Sequence, residues 1–237
     1  MPIPFLTAEQ MAEVDRLMIE EYQVSLLQMM ENAGRQLADL ARSRFLGGDP
    51  RGKQVVVLAG SGGNGGGGLT AARHLHNWGA AIEVILTRPQ RDLNEVPARQ
   101  AEILSAMDVS LSPSDLWKDL PDADLILDAL IGYSLQGEAR GEAARLILLA
   151  NSHQRPILSL DVPSGLDATR GAVFSTVIKA AATLTLALPK TGLAEDRVGP
   201  YVGELYLADI SVPPNLYQRL GLEVGAIFAD RPVIPLG

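Results

Sequence analysis

Three short stretches of this sequence gather residue types that can hold and move charge. The first, GSGGNGGGGLTAARHL over residues 60–75, places Gly60, Gly62 and Gly65 at G-x-G-x-x-G spacing. Without Cβ atoms in the way, backbone N–H groups can close on a phosphate, and a helix starting there adds the positive end of its dipole. No Lys-Ser/Thr pair follows the glycines, so the stretch is not a P-loop. The second is Asp128 in LILDALIGYSLQGEARG, an acid closing an apolar run, with Gly132 and Gly137 in the loop beyond it. The third is Asp161-Val162-Pro163-Ser164-Gly165, where Pro163 fixes φ and Gly165 permits an unusual turn. That turn is expected to hold Asp161 and Ser164 toward the same mouth.

Each stretch also has a plainer reading. The glycines can serve a tight turn and helix–strand packing only, and Asp128 can cap a turn through an Asx hydrogen bond. Glycines at 60, 62, 63, 65, 66 and 67 around a single Asn64 exceed what a turn needs, which favours a ligand. Ser164 lies outside any G-x-S-x-G elbow and no histidine follows it, since the three are His74, His76 and His153. A serine hydrolase is thereby disfavoured. His74 and His76, two residues apart, cannot share a helical face and are read as surface or helix-end residues, not metal ligands.

The elements that position these stretches follow from apolar spacing. Thr7 with Gln10 and Ser25 with Gln28 are capping-box pairs, each opening a helix. Met11, Val14 and Met18 share one face of the first helix; Leu26, Met30, Ala33, Leu37 and Leu40 share one face of the second. These Met-rich faces read as core or subunit contact. From Gln54 onward, short β-branched runs alternate with helices. VVVLA, IEVILT, ADLILD and PILSLD predict strands buried on both faces, with helices near 69–78, 98–107 and 141–150 between or after them. ATLTLALP and GELYLADI predict two more strands, whose alternation suggests positions nearer an edge. The whole predicts a mostly parallel α/β sheet preceded by two helices, with ligands beyond the strands' carboxyl ends. All three stretches fall there.

An ordinary dinucleotide fingerprint also wants an acid at the end of the second strand, but that strand ends at Thr87-Arg88. Arg88 can meet a 2′-phosphate or be a surface charge before Pro89. At 237 residues, with 47% hydrophobic and 20% charged residues and no linker or repeat, the chain 1–237 reads as one domain with a sizeable core. A net charge of −8 without a Lys/Arg cluster disfavours nucleic acid and anionic membranes as partners. It also means that an anionic ligand would need local donors or a bound cation. There is no Cys, hence no disulfide and no thiolate chemistry. Without a signal-like start or a bilayer-length apolar run, a cytoplasmic location is expected.

Together the glycine loop, Asp128 and DVPSGLDATRG (161–171) resemble the NAD(P)H-hydrate epimerase family, also called the YjeF N-terminal domain. The resemblance runs from MENAGR (30–35) through LALPKTGL (186–193) and so covers most of the chain. It implies a three-layer αβα sandwich with a Rossmann-like sheet, often dimeric, that interconverts the epimers of hydrated NADH or NADPH. It also implies bound potassium, whose ligands transfer to Asn64, Asp128 and Ser164, an all-oxygen set suited to a hard cation. The dinucleotide loops transfer to Gly63, Asn64, Gly65, Gly66 and Gly67, and to Gly132, Tyr133, Ser134, Leu135, Gln136, Gly137 and Glu138. The family's substrate-contacting acid falls on Asp161, expected to work as general acid/base. The fused dehydratase domain of many bacterial relatives is not expected, leaving a separate dehydratase as the partner that consumes the product. Two departures stand out. The family's N-N-G-G-D-G reads Gly63-Asn64-Gly65-Gly66-Gly67-Gly68 here, and a Phe-Gly-Thr-Gly type loop has become Ile131-Gly132-Tyr133-Ser134. A non-catalytic binding or dimerisation module on the same fold is the alternative. A simple dehydrogenase is disfavoured by the missing second-strand acid.

Overall fold

The computed structural model describes residues 3–236. Two helices open the chain, α1 (Ala8–Glu20) and α2 (Leu26–Leu40), and both capping boxes close as the sequence predicts. The Thr7 and Ser25 hydroxyls accept the N–H groups of Gln10 and Gln28, whose side-chain oxygens accept the cap N–H groups in return. Each box satisfies donors that a helix start leaves free.

The alternating part runs β1 (Gln54–Ala59), α3 (Gly63–Asn77), β2 (Ala81–Leu86), α4 (Glu95–Ser105), β3 (Ser110–Pro113), β4 (Leu125–Ala129), α5 (Gly141–Ser152) and β5 (Ile157–Leu160). It continues with β6 (Ala182–Leu186), α6 (Gly199–Val202), β7 (Glu204–Ala208), α7 (Pro214–Arg219) and β8 (Val233–Pro235). The eight strands form one sheet in the order β3-β2-β1-β4-β5-β6-β7-β8, parallel except for β8. Strand direction of growth reverses between β1 and β4, which is where such sheets open a crevice for ligands.

The strands' period of two divides the core into two layers. Val55, Val57 and Ala59 of β1 and Leu125, Leu127 and Ala129 of β4 pack with α1, α2, α3 and α4. Val56, Leu58 and Ile126 point the other way, against Leu146 and Ile147 of α5. A further cluster, built on Val162, Leu166, Val198 and Val202, gathers the long connections after β5 and β6. The result is the αβα sandwich.

Two expectations need correction, and two strands were not foreseen. β6 lies inside the sheet between β5 and β7, every residue buried. Its alternation comes from Thr183 and Thr185, which are core threonines; Thr183 Oγ1 donates to the Val202 carbonyl at 2.8 Å. The short strands β3 and β8 were not legible, because SLSP and VIP are too brief and too little alternating to signal one. Finally, α3 starts at Gly63, so the glycine run is mostly helix rather than loop.

Candidate active site

Five strand ends, Gly60, Thr87, Leu130, Asp161 and Leu186, converge on one cavity of about 780 Å³. Its floor is the start of α3, where Gly62, Gly63 and Asn64 face the space. The first N–H groups of that helix have no carbonyl to bond within it, and Gly62 caps without a side chain. An anion therefore meets donors and a helix dipole there. Arg88 and Arg140 stand at the rim, both exposed.

The glycines divide into two jobs. Gly63 and Asn64 line the cavity, whereas Gly65, Gly66 and Gly67 are buried beneath it. Gly66 already donates its N–H to the Gly62 carbonyl, 3.1 Å away. A Cβ on Gly67 would lie 2.6 Å from Leu160 Cδ2, and one on Gly68 2.4 Å from Ala129 Cβ. Across the helix pair, a Cβ on Gly34 of α2 would lie 2.6 Å from the Gly67 carbonyl oxygen. Close packing against the sheet and α2 thus explains the later glycines, and phosphate binding can be asked only of the first ones.

Asp161 is the acid in the cavity wall. Its side chain is buried, and its backbone takes φ +69° with the Val162 N–H closing onto the Leu160 carbonyl at 2.9 Å. A three-residue turn with positive φ is strained, of the order of 1–3 kcal/mol, and must be held by its surroundings. The hold is visible. Oδ1 is paired with the ammonium of Lys190, a residue with no exposed surface, and Oδ2 accepts the Tyr133 N–H at 2.9 Å. Lys190 also donates to the Leu186 carbonyl at 2.9 Å and reaches Thr185 Oγ1 at 3.4 Å.

Behind this wall sits a second polar group. Asp128 is fully buried and accepts the Ser159 hydroxyl at 2.7 Å, the Ser164 N–H at 2.9 Å and the Ser164 hydroxyl at 2.5 Å. Ser164 Oγ in turn accepts the Ile131 N–H at 2.9 Å. Burial pushes the Asp128 carboxyl upward, with these hydrogen bonds opposing. Among the described residues no cation pairs with it. The Asn64 amide nitrogen is likewise buried without a partner, and the amide and Asp161 Oδ2 flank Gly132 so closely that a Cβ there would be 3.3 Å from one and 2.9 Å from the other.

The three stretches singled out in the sequence do meet here, but not all face the same space. Gly63, Asn64, Gly132, Tyr133, Ser134 and Asp161 line the cavity. Asp128 and Ser164 lie under it, so the Pro163 turn, with Gly165 at φ +98°, directs Asp161 outward and Ser164 inward. Leu135, Gln136, Gly137 and Glu138 are not among its walls; Glu138 instead accepts the Ser175 hydroxyl at 3.1 Å. The Met-rich helical faces serve the site as well as the core, since Met11 and Met30 line the cavity. His74 is buried, not a surface residue: Nε2 sits 2.9 Å from Glu31 Oε1 and its ring lies beside Trp78.

Two residues escaped sequence reasoning. Lys190 is a lone cation just past a buried strand, in LALPKTGL. Asp15 lines the cavity from α1, next to Val14 and one turn from Met11 and Met18. A carboxylate beside an apolar stripe was the signal available for it.

Comparison with known proteins bears on the family and the fold. The family model described as YjeF-related protein N-terminus matches residues 26–192. A protein of Dehalogenimonas lykanthroporepellens named NAD(P)H-hydrate epimerase is 46% identical, the match covering 92% of this chain and 86% of that one. A Moorella thermoacetica protein named bifunctional NAD(P)H-hydrate repair enzyme Nnr is 35% identical over 89% of this chain, which spans only 41% of its length. Among solved structures, that of the yeast protein ynu0 superposes with a TM-score of 0.82 at 26% identity, covering 99% of this chain and 100% of that one. The chain belongs to the YjeF-related N-terminal family.

Proposed function

We propose that the protein interconverts the R and S epimers of hydrated NADH and NADPH, so that a stereospecific dehydratase can restore all of the damaged cofactor. The observation that supports this reading best is Asp161: a strained, buried carboxylate fixed by Lys190 and the Tyr133 N–H, opening onto a cavity floored by a helix N-terminus. The cavity volume suits a dinucleotide end inserted ring first. The phosphates then lie over Gly63 and Asn64, with Arg88 and Arg140 at the rim, and the hydrated ring comes to Asp161. There the carboxylate takes and returns a proton as the ring carbon loses and regains its configuration.

Potassium fits the residues behind the wall. Asn64, Asp128 and Ser164 would hold it through an amide oxygen, a carboxylate and a hydroxyl, since Asp128 is fully buried and among the described residues no cation pairs with it. When bound, it supplies positive charge that offsets Asp128 and the incoming phosphates in a protein of net charge −8. In this reading the protein is a cytoplasmic homodimer working beside a separate dehydratase. Among the described residues no helix is long and apolar enough to cross a membrane.

The test is an epimerisation assay. A dehydratase specific for one epimer exhausts it from a mixture of hydrated NADH or NADPH, and the protein is then added in potassium buffer. Faster consumption of the remainder, lost in Asp161→Asn with fold intact, is the expected result. Asparagine suits the test because it tolerates positive φ. No acceleration with either hydrate from folded protein would overturn the reading and favour a binding module.

A further inference from the structure

Inverting a carbon that bears a hydroxyl requires a proton to be given on one face and taken on the other, and Asp161 supplies one group for two tasks. The cavity holds two further carboxylates that the reading above leaves unused, and one of them, Glu142, is already taken up by Arg145 and Ser114, which leaves Asp15. We propose that Asp15 is a further catalytic residue, the proton donor opposite Asp161, with Tyr133 holding the two in register. This deepens the epimerase reading and rests on it.

The linkage through Tyr133 is the main observation. Its backbone N–H donates to Asp161 Oδ2 at 2.9 Å, and its phenol donates to Asp15 Oδ2 at 2.6 Å. One residue therefore fixes an oxygen of each carboxylate, and all three line the same cavity. Asp15 Oδ1 has no hydrogen-bond donor among the described residues, which leaves it for a ligand. The two acids also come from different walls, Asp15 from α1 and Asp161 from the end of β5.

Their surroundings set them apart in the way an acid–base pair needs. Asp161 has its own cation in Lys190. Asp15 has none in contact, and burial pushes its carboxyl above the ordinary range. The Tyr133 hydroxyl and the more distant Lys190 favour its ionised form, while Asp161 opposes it. On α7, the buried Tyr217 hydroxyl is itself pushed upward, mainly by burial, with smaller contributions from Asp209 and Asp15. Burial thus favours the protonated form of Asp15, and Asp161 is the carboxyl with a cation in contact.

The step balances without any redox partner. Asp15 gives its proton to the ring hydroxyl, the C–O bond breaks, and the electron pair leaves on oxygen as water. The ring nitrogen's lone pair stabilises the planar cation that remains. Water adds to the other face and yields its proton to Asp161, from which a proton returns to Asp15 through solvent. No electrons enter or leave, and the atoms of the hydrate are conserved.

The experiment compares wild type, Asp15→Asn and Tyr133→Phe in the coupled epimerisation assay, with folding checked by circular dichroism and hydrate binding by equilibrium dialysis. Asp15→Asn is expected to lose about 100-fold or more in kcat while hydrate still binds, as loss of a general acid does. Tyr133→Phe is expected to keep measurable turnover but move the alkaline limb of kcat to higher pH. The sign follows from the lost hydroxyl, which favoured the ionised Asp15; without it the protonated donor persists further upward in pH. Asp15→Asn turnover within about threefold of wild type, or a loss confined to KM, would overturn the proposal. Should Asp15→Asn fail to fold, an unmoved limb in Tyr133→Phe overturns it instead. A folded wild type inactive on both hydrates defeats the epimerase reading itself, a result distinct from an active wild type beside an unimpaired Asp15→Asn.

Discussion

Lys190 shows how much this site depends on single side chains. It has no exposed surface and divides its protons between the Asp161 carboxylate, the Leu186 carbonyl and Thr185. Removing one member of a buried pair leaves the other charge without compensation, a cost of about 3–5 kcal/mol, whereas replacing both by neutral groups is close to free. Lys190→Met should therefore lower the midpoint of urea unfolding strongly, and Lys190→Met with Asp161→Asn should recover most of the loss. If the double variant is as unstable as the single, Lys190 acts through packing alone. Asp161 itself was legible in the sequence because it closes an apolar strand run and Pro163 and Gly165 follow it, marking a turn. Lys190 and Asp15 were not, because a lone charge in an apolar context signals its burial only when its partners are known, and those partners are far apart in the chain.

At the scale of elements, the glycine run of α3 shows the limit of motif reading. The pattern G-x-G-x-x-G placed a glycine turn and a helix after β1, yet it could not say where the loop ended. What ends it is proximity: α3 lies against Ala129 of β4, Leu160 beyond β5's centre and Gly34 of α2, with no room for side chains. The position where the family has Asp is Gly67, and its side-chain space is taken by Leu160 and approached by Met30, so its absence leaves no hole in the cavity. Gly68→Ala should then cost about 1–3 kcal/mol, because Ala129 is too short to move aside. Gly63→Ala, with Met30 Sδ at 3.9 Å as its nearest neighbour, should be neutral or slightly stabilising in the same denaturation experiment. Equal effects at the two positions would show that α3 does not pack as closely as described. β3 and β8 were invisible for a related reason: short strands at the ends of a sheet owe their form to the neighbour they pair with, not to their own apolar pattern.

For the molecule as a whole, charge is the governing quantity. A protein of net charge −8 that takes up a dinucleotide must gather positive potential locally, and here it has a helix N-terminus, Arg88 and Arg140, to which the cation proposed for Asn64, Asp128 and Ser164 would add. A ligand that binds only the folded state raises stability in proportion to the logarithm of its concentration. Melting temperature should accordingly rise with potassium chloride but not with tetramethylammonium chloride at equal ionic strength, whose cation is too large for a buried site. Equal rises in the two salts would reduce the effect to screening and remove potassium from the account. The sequence made the sheet and its ligand edge legible because the parallel strands are long apolar runs. It left the direction of each side chain unresolved, so Asp128 and Ser164 were placed at the mouth and belong under it.

One contact ties the start of the chain to this site. Leu6 pairs with the segment carrying Lys190, its N–H donating to the Pro189 carbonyl and its carbonyl accepting the Thr191 N–H, both at 2.8 Å. The next turn is held too, through the Ala8 N–H on the Thr169 hydroxyl at 2.9 Å. On the ribosome, the segment made first therefore stays unpaired until most of the chain has emerged. The cavity's walls include α1, which follows that pairing directly, so α1, and with it Asp15, is expected to dock late in folding. Catalytic competence is then expected to report completion of this long-range backbone pairing, and a chain without it is expected to form a sheet but no finished pocket.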